Sequence, residues 1–324
     1  MTRPRYLVTG GCGFIGSHLV DRLQAGGAAV RVLDDLSTGR RENLSGPVDL
    51  RIGDVADPAT LRAALAGVDG VFHLAAVASV DRCNQAWLPS HRCNQSAAVA
   101  LFDFARPAAL DLPVVYASSA AVYGRCRDLP LSETTPPAPV SAYGADKLGC
   151  ELHARAGAEV HGLHSIGLRF FNVYGPRQDP RSPYSGVISI FADRIARGQP
   201  VTIFGDGQQS RDFIDVADVA ACLDGAMARL HAHAAARWEG GREDGVAEIF
   251  NVCTGRATTV RDLAHLIGGI VGRRPALTQA PPREGDIRHS VGTPARAQTA
   301  FGCRAPRSLK DGLARLLKAN LVPQ

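Results

Sequence analysis

The sequence predicts an α/β protein built on a doubly wound parallel sheet, with a smaller mixed α/β C-terminal domain. Three observations carry that expectation. A glycine-rich turn, G-G-C-G-F-I-G from Gly10 to Gly16, joins a short apolar run to an amphipathic segment. Apolar runs and amphipathic segments then alternate as far as Tyr174, the pattern of strands and crossover helices covering both faces of a parallel sheet. After Gly175 the texture changes to P-R-Q-D-P-R-S-P-Y-S-G, an irregular segment, and then to a mixture of short strands and helices.

Each element follows in order. R-Y-L-V-T at 5–9 reads as a short buried strand. S-H-L-V-D-R-L-Q-A-G-G is a helix closed by Gly26 and Gly27, and residues 28–35 are a second strand, which completes a β-turn-α-β unit. A strand is expected over 48–54, a helix over 58–66, a strand over 70–75 and a helix from about Ser90 to Ala105. A strand over 113–119, a helix over Ser141–Gly157 and one long strand over 165–174 follow. Beyond the irregular segment come a helix over 187–198, a strand over 201–204 and a helix near Val216–Leu230. Residues 231–246 read as an exposed helix end and loop, with His231 and His233 as solvated surface rather than metal ligands. The sheet domain is expected over 1–174 plus roughly 212–250, and the second domain over roughly 175–211 and 251–324.

Composition narrows the function classes. The chain is 324 residues long, 45% hydrophobic and 21% charged, as in soluble globular proteins with a full core. Its net charge of +5 is spread along the chain without a basic block, which argues against a nucleic-acid binder. No apolar run reaches membrane-spanning length, and the first residues pass directly into a strand, so neither a membrane span nor a signal peptide is expected. The eight cysteines are scattered and form no C-x-x-C pair. Free thiols in a reducing cytoplasm, with no zinc site, are the expectation.

Two motifs carry chemistry. Gly10, Gly13 and Gly16 follow a strand and open a helix, the context in which G-x-x-G-x-x-G cradles a dinucleotide pyrophosphate on a helix N-terminus. Asp34, at the end of the second strand, suits both hydroxyls of an adenosine ribose and would repel a 2′-phosphate, so NAD is expected over NADP. Arg40 and Arg41 follow closely enough to soften that preference, and Asp54 and Val55 end the third strand where an adenine amine would find an acceptor. The second motif is S-A-Y-G-A-D-K. Tyr143 and Lys147 are four residues apart and so share a helix face. Of the chain's three lysines, Lys310 and Lys318 read as solvated surface of a C-terminal helix, which leaves Lys147 as the lone lysine of the first 309 residues.

These motifs, with T-G-G-C-G-F-I-G-S-H, H-L-A-A, S-S-A-A-V-Y-G, R-F-F-N-V-Y-G-P-R-Q, G-D-G-Q-Q-S-R-D-F-I-D-V and R-E-G-D-I-R-H-S, cover nearly the whole chain. Over them the chain resembles the extended short-chain dehydrogenase/reductases, in particular the NAD-dependent nucleotide-sugar epimerases of the UDP-galactose 4-epimerase type. The resemblance implies a Rossmann-type sheet, bound NAD, a UDP-sugar substrate and a homodimer formed by the helices near Ser90–Ala105 and Ser141–Gly157. It implies Tyr143 as acid/base on the sugar 4-hydroxyl, Lys147 holding the nicotinamide ribose and stabilising the phenolate, and Ser119 bonding the same sugar oxygen. It sets the cofactor against Gly10, Gly13, Phe14, Ile15, Gly16, Asp34, Asp54, Val55, Leu74, Ala75, Ala76, Asn94, Ser118, Tyr143 and Lys147. It sets the UDP-sugar against Ser119, Asn172, Val187, Arg211, Arg283, Asp286 and Ser290. Plainer readings stay open: Arg211 and Arg283 as ion-pair partners of Asp212 and Glu284, and Asn172 as a turn cap.

Finer features point within the family. Dehydratases and UDP-glucuronate decarboxylases of similar sequence carry an acid just after the catalytic serine or threonine, and here those positions are Ala120 and Ala121. Ser290, seven residues after Arg283, stands where a tyrosine restricts relatives to glucose and galactose, so UDP-GlcNAc/UDP-GalNAc interconversion is favoured, with UDP-Glc/UDP-Gal as a further pair. A UDP-glucuronate 4-epimerase is the runner-up. An inactive NAD(H)-sensing relative and an NADP-using reductase are the readings from other classes; retention of Ser119, Tyr143 and Lys147 argues against the first and Asp34 against the second. Ala142 stands where proline is usual, and Asp146 where serine is usual. Asp146 is expected to face away from Lys147.

Overall fold

A computed structural model describes residues 3–107, 109–179, 186–240, 245–282 and 287–321. Its centre is a seven-stranded sheet in the order Val246–Val252, His164–Phe170, Val114–Ser119, Gly70–His73, Arg5–Thr9, Ala29–Asp34, Asp49–Ile52. Every pairing in it is parallel. The chain runs outward from Arg5–Thr9 to Asp49–Ile52, then crosses back to Gly70–His73 and builds the other half. That reversal opens a crevice at the carboxyl ends of the two inner strands, the place where open α/β sheets bind ligands.

The inner strands explain their own burial. All four residues of Gly70–His73 and all seven of His164–Phe170 are buried, as expected of strands covered on both faces. One face is packed by the helices Phe14–Ala25 and Val216–Gly240 through Leu19, Leu23, Leu223 and Met227. The other is packed by Pro58–Leu65, Ala97–Ala105 and Ala142–His161 through Leu61, Leu101, Phe102 and Ala154. The helix starts are set locally. The Asp57 carboxylate accepts the Thr60 N–H ahead of Pro58, and the Ser141 hydroxyl accepts the Gly144 N–H ahead of Ala142.

A second core lies beside the sheet, between the helices Val187–Ala196, Val260–Val271 and Leu309–Leu321. The short strands Asn172–Tyr174, Ala257–Thr259 and His289–Ser290 each pair with Ser210–Asp215. Val201–Phe204 pairs with Leu277–Ala280.

Several expectations are corrected. The long strand over 165–174 is two strands, separated at Phe171, and the second belongs to the smaller sheet. The helix expected from Ser90 starts at Trp87 and carries a π segment over Arg92–Ser96. The helix ending at Gly157 continues to His161, and the one ending near Leu230 continues to Gly240. His231 is therefore helical and half-buried, 3.1 Å from the Tyr6 hydroxyl, rather than solvated. The cysteines are not all free: Cys222 and Cys303 form a disulfide, with Cα atoms 4.7 Å apart, because Val216–Gly240 packs on the segment after Ala295–Phe301. Lys310 and Lys318 are exposed, as expected. Among the described residues no helix is long and apolar enough to cross a membrane.

Candidate active site

The glycine turn is dictated by contact. Gly10 has φ +69°, and a Cβ there would lie 2.8 Å from the Ala75 backbone nitrogen. A Cβ on Gly16 would collide with the Gly10 carbonyl. Gly13 is the N-cap of Phe14–Ala25, and the N–H groups of Phe14, Ile15 and Gly16 have no partner within the helix. They are left aimed at the crevice with the positive end of the helix dipole. At the neighbouring strand end Asp34 is buried, and its carboxylate accepts the N–H groups of Cys12 and Leu36, each at 2.9 Å. Burial pushes its carboxyl up, and these two bonds oppose that. Arg40 turns aside from Asp34 to pair with Asp179 at 2.6 Å. Asp54 accepts the Ala56 N–H and lies 3.6 Å from Arg92, and Val55 beside it is buried. Leu74 and Ala75 leave the fourth strand with both N–H groups on the Thr9 hydroxyl at 3.2 Å, which sets 74–76 against Gly10.

Ser118 and Ser119 end the strand next to the central one, and alternation sends their side chains to opposite faces. Ser118 is 1% exposed and donates its hydroxyl to Glu151. A contact of Ser118 with a cofactor would thus run through its main chain. The Ser119 hydroxyl accepts the Ala121 N–H at 3.1 Å, so its own hydrogen is available to another oxygen. The turn Ala120–Tyr123 abuts the first turn of Ala142–His161 so closely that a Cβ on Gly144 would lie 2.7 Å from the Ala121 carbonyl oxygen. That contact sets the turn after Ser119 against the start of the helix that carries Tyr143 and Lys147. Tyr143 is half-buried, and the Lys147 ammonium lies 5.8 Å from the centre of its ring. Lys147 is 3% exposed, and among the described residues no carboxylate pairs with it. His73, at the end of the adjacent strand, is pushed down to about 3 by burial, with the Lys147 charge adding to the effect. It is a neutral neighbour to that ammonium.

Asn94 lies in the π segment and is 1% exposed. Its side chain clasps the Val77 peptide, accepting the N–H at 2.7 Å and donating to the carbonyl at 3.3 Å. Asp146, the residue before Lys147, is buried and lies 2.7 Å from His91 Nδ1 on the neighbouring helix.

On the substrate side, Ser290 pairs in register with Arg211, and Asn172 with Phe213, so all three residues gather on or against Ser210–Asp215. Arg211 donates to the Ser210 carbonyl at 2.9 Å, while Asp212 is taken by the N–H groups of Thr254 and Gly255. Val187 opens its helix and packs on the second core. Arg283 and Asp286 lie outside the described residues. A cleft of about 640 Å³ is lined by Phe204, Asp206, Gln209, Gln279, Pro282 and Arg288, among others. These residues went unassigned in the sequence, although Phe204, Asp206 and Gln209 belong to the run F-G-D-G-Q-Q that leads to Arg211.

The model of the NAD dependent epimerase/dehydratase family matches residues 6–252. A UDP-glucose 4-epimerase of Mycolicibacterium smegmatis is 37% identical, over 97% of each chain. The UDP-N-acetylglucosamine 4-epimerase of Methanobrevibacter ruminantium, solved with UDP-N-acetylmuramic acid, is 33% identical with a TM-score of 0.89, over 99% of each chain. The UDP-glucose 4-epimerase of Thermus thermophilus, solved with NAD, is 34% identical with a TM-score of 0.84, over 97% of this chain and 98% of that one. NAD fits the groups described above: N–H groups at the glycine turn without a partner in their own helix, a fixed carboxylate at Asp34, and a buried ammonium at Lys147 that no carboxylate among the described residues neutralises. NAD is the cofactor, and the chain belongs to the NAD-dependent epimerase/dehydratase family.

Proposed function

We propose that the protein is a UDP-sugar 4-epimerase working through a 4-keto sugar, with UDP-GlcNAc and UDP-GalNAc as its preferred pair and UDP-Glc/UDP-Gal as a further pair. The observation that supports this reading is the close packing of the turn after Ser119 on the first turn of the helix that carries Tyr143 and Lys147, with Ala120 and Ala121 where an elimination would need an acid. Tyr143 takes the proton of the sugar 4-hydroxyl, and the Lys147 ammonium stabilises the resulting phenolate. Ser119, its oxygen already engaged by the Ala121 N–H, gives its hydrogen to the reacting oxygen. NAD, held by the glycine turn, Asp34 and Lys147, would supply a hydride acceptor that also gives the hydride back, so the reaction would involve no net redox. Arg211 and Arg283 clamp the diphosphate, with Asn172 and Val187 along the phosphate and sugar and Asp286 on the uridine ribose. Ser290 leaves room for an N-acetyl group. The relatives described above, which act on UDP-glucose and UDP-N-acetylglucosamine, support both substrate pairs.

The test is incubation with UDP-GlcNAc, UDP-Glc and UDP-glucuronate in parallel, with the epimers resolved by proton NMR. UDP-GalNAc should appear, and Tyr143→Phe should slow its appearance by about 10²–10⁴-fold. Turnover of UDP-glucuronate alone would keep the mechanism and remove the reading of Ser290.

The chain also pairs with a second copy in this reading. The helices around 87–105 and 142–161 leave Trp87 67%, Leu88 77%, Leu152 60% and Val160 72% exposed, more apolar surface than a lone helix pair normally gives to water. Sedimentation should return twice the chain mass, and a monomer mass at micromolar concentration would overturn this assignment.

A further inference from the structure

We infer that the buried Glu151–Arg169 pair is the positioning device for Ser119, holding the serine turn in register with the helix that carries Tyr143 and Lys147. The inference rests on the reading of those three residues given above. Glu151 is one helical turn beyond Lys147, and Arg169 lies on the neighbouring strand His164–Phe170. Both are nearly closed to solvent, at 6% and 5% exposed. The guanidinium grips the carboxylate with two bonds, Nε to Oε1 at 2.9 Å and Nη2 to Oε2 at 2.6 Å. A pair of this kind is a poor source of stability, because desolvation cancels most of its attraction, but its geometry is well defined.

What the pair touches gives it a role. The Oε1 atom of Glu151 also accepts the Ser118 hydroxyl, one residue before Ser119. The guanidinium carbon also lies over the Tyr123 ring, 4.7 Å from its centre, four residues after Ser119. Ser119 is thus bracketed on both sides by contacts to one ion pair, and that pair is anchored in the catalytic helix. The ladder continues outward. The Tyr123 hydroxyl donates to Asn251 Oδ1 at 2.7 Å, and Asn251 Nδ2 donates to the Leu131 carbonyl at 3.0 Å. The Leu131 N–H in turn donates to the Val291 carbonyl at 2.8 Å, next to Ser290. The serine turn and the segment proposed to face the sugar's 2-substituent therefore share one buried support. Catalytic hydrogen bonds tolerate errors well under an ångström, so a support of this precision acts on rate rather than on binding.

Arg169→Lys keeps the charge but loses both the fork and the stacking surface. It should lower kcat by about 10–100-fold with KM within about threefold and with NAD retained on purification. The decisive readout is coupling to Ser119. Ser119→Ala in the Arg169→Lys background should cost no more than about threefold beyond Ser119→Ala alone, because the ladder acts through that serine. Multiplying effects would overturn the inference, and so would a rise in KM with unchanged kcat. Hydrogen exchange reads the positioning without activity: in Arg169→Lys, exchange should rise over 114–124 and stay unchanged over 14–25. Unchanged exchange over 114–124 would overturn the inference. Should the wild type turn over no UDP-sugar, the proposed reaction falls and the exchange result still decides the ladder. Glu151→Gln, which keeps the volume and one acceptor oxygen, should repeat the kcat and exchange pattern. An effect confined to thermal stability would count against the proposal.

Discussion

His73 shows how much a single side chain can be set by its neighbours. The Thr9 hydroxyl accepts the Leu74 and Ala75 N–H groups, so its hydrogen goes to His73 Nδ1, 2.9 Å away. That leaves the imidazole neutral with its Nε2 buried and unpaired among the described residues. Burial lowers it from 6.5 to about 3. The unfolded chain therefore takes up a proton below about pH 6.5 that the folded chain refuses until about pH 3. The stability tied to this group is fully present above about 6.5 and is lost as pH falls through that window. In urea unfolding at fixed NAD, the stability gap between wild type and His73→Asn should narrow by about 2 kcal/mol from pH 7 to pH 5. A gap that stays constant over that range would refute this account of His73. Residues of this kind were only half legible in the sequence. Tyr143 and Lys147 announced themselves by spacing on one helix. Which of Ser118 and Ser119 keeps its hydroxyl hydrogen open to another partner does not follow from spacing, because Glu151, 33 positions from Ser118, takes the first hydroxyl.

At the scale of elements, periodicity recovered which segments are helix and strand and lost what happens inside them. The π segment Arg92–Ser96 adds a residue to one turn without changing the apolar pattern enough to register. Yet that turn lets Asn94 reach Val77. R-F-F-N-V-Y reads as one strand because it contains no breaker, and only the separate pairing of Asn172–Tyr174 with Ser210–Asp215 divides it. Two glycines on one helix had opposite meanings. Gly157 looked like a stop signal, but it lies inside the helix, where a Cβ would press on the Leu163 side chain at 3.0 Å. The stop is Gly162, whose φ of +68° is the left-handed cap that favours glycine. Local sequence names the residue types available for caps and close contacts. The neighbouring element decides which of them is used.

The whole molecule adds a constraint that no local pattern contains. Cys222 and Cys303 are 81 residues apart, and their bond closes a loop that holds the edge strand Val246–Val252, the helix Val260–Val271 and Ser290. Sequence spacing offered no reason to pair them. They meet because the helix Val216–Gly240 covers the sheet and the chain end returns across it. Cross-linking a loop of this length removes roughly 4 kcal/mol of unfolded-state entropy in the chain-entropy model. Both cysteines belong to the large core, at 0% and 7% exposed, so reagents reach their sulfurs slowly in the native state. In a glutathione-reduced compartment the same pair would stand open, and the core would have to supply the stability alone. Denatured without reductant, the oxidised protein should show six free thiols, against eight after reduction. Reduction should lower Tm by about 5–10 °C, and Cys303→Ser should start at the lower value and ignore the reductant. Because the bond is remote from Ser119 and Tyr143 in the chain and acts chiefly on the unfolded state, kcat at 25 °C should be the same in both forms. Eight thiols in the untreated protein, or a Tm indifferent to reductant, would mean that packing alone holds the helix and the returning segment together.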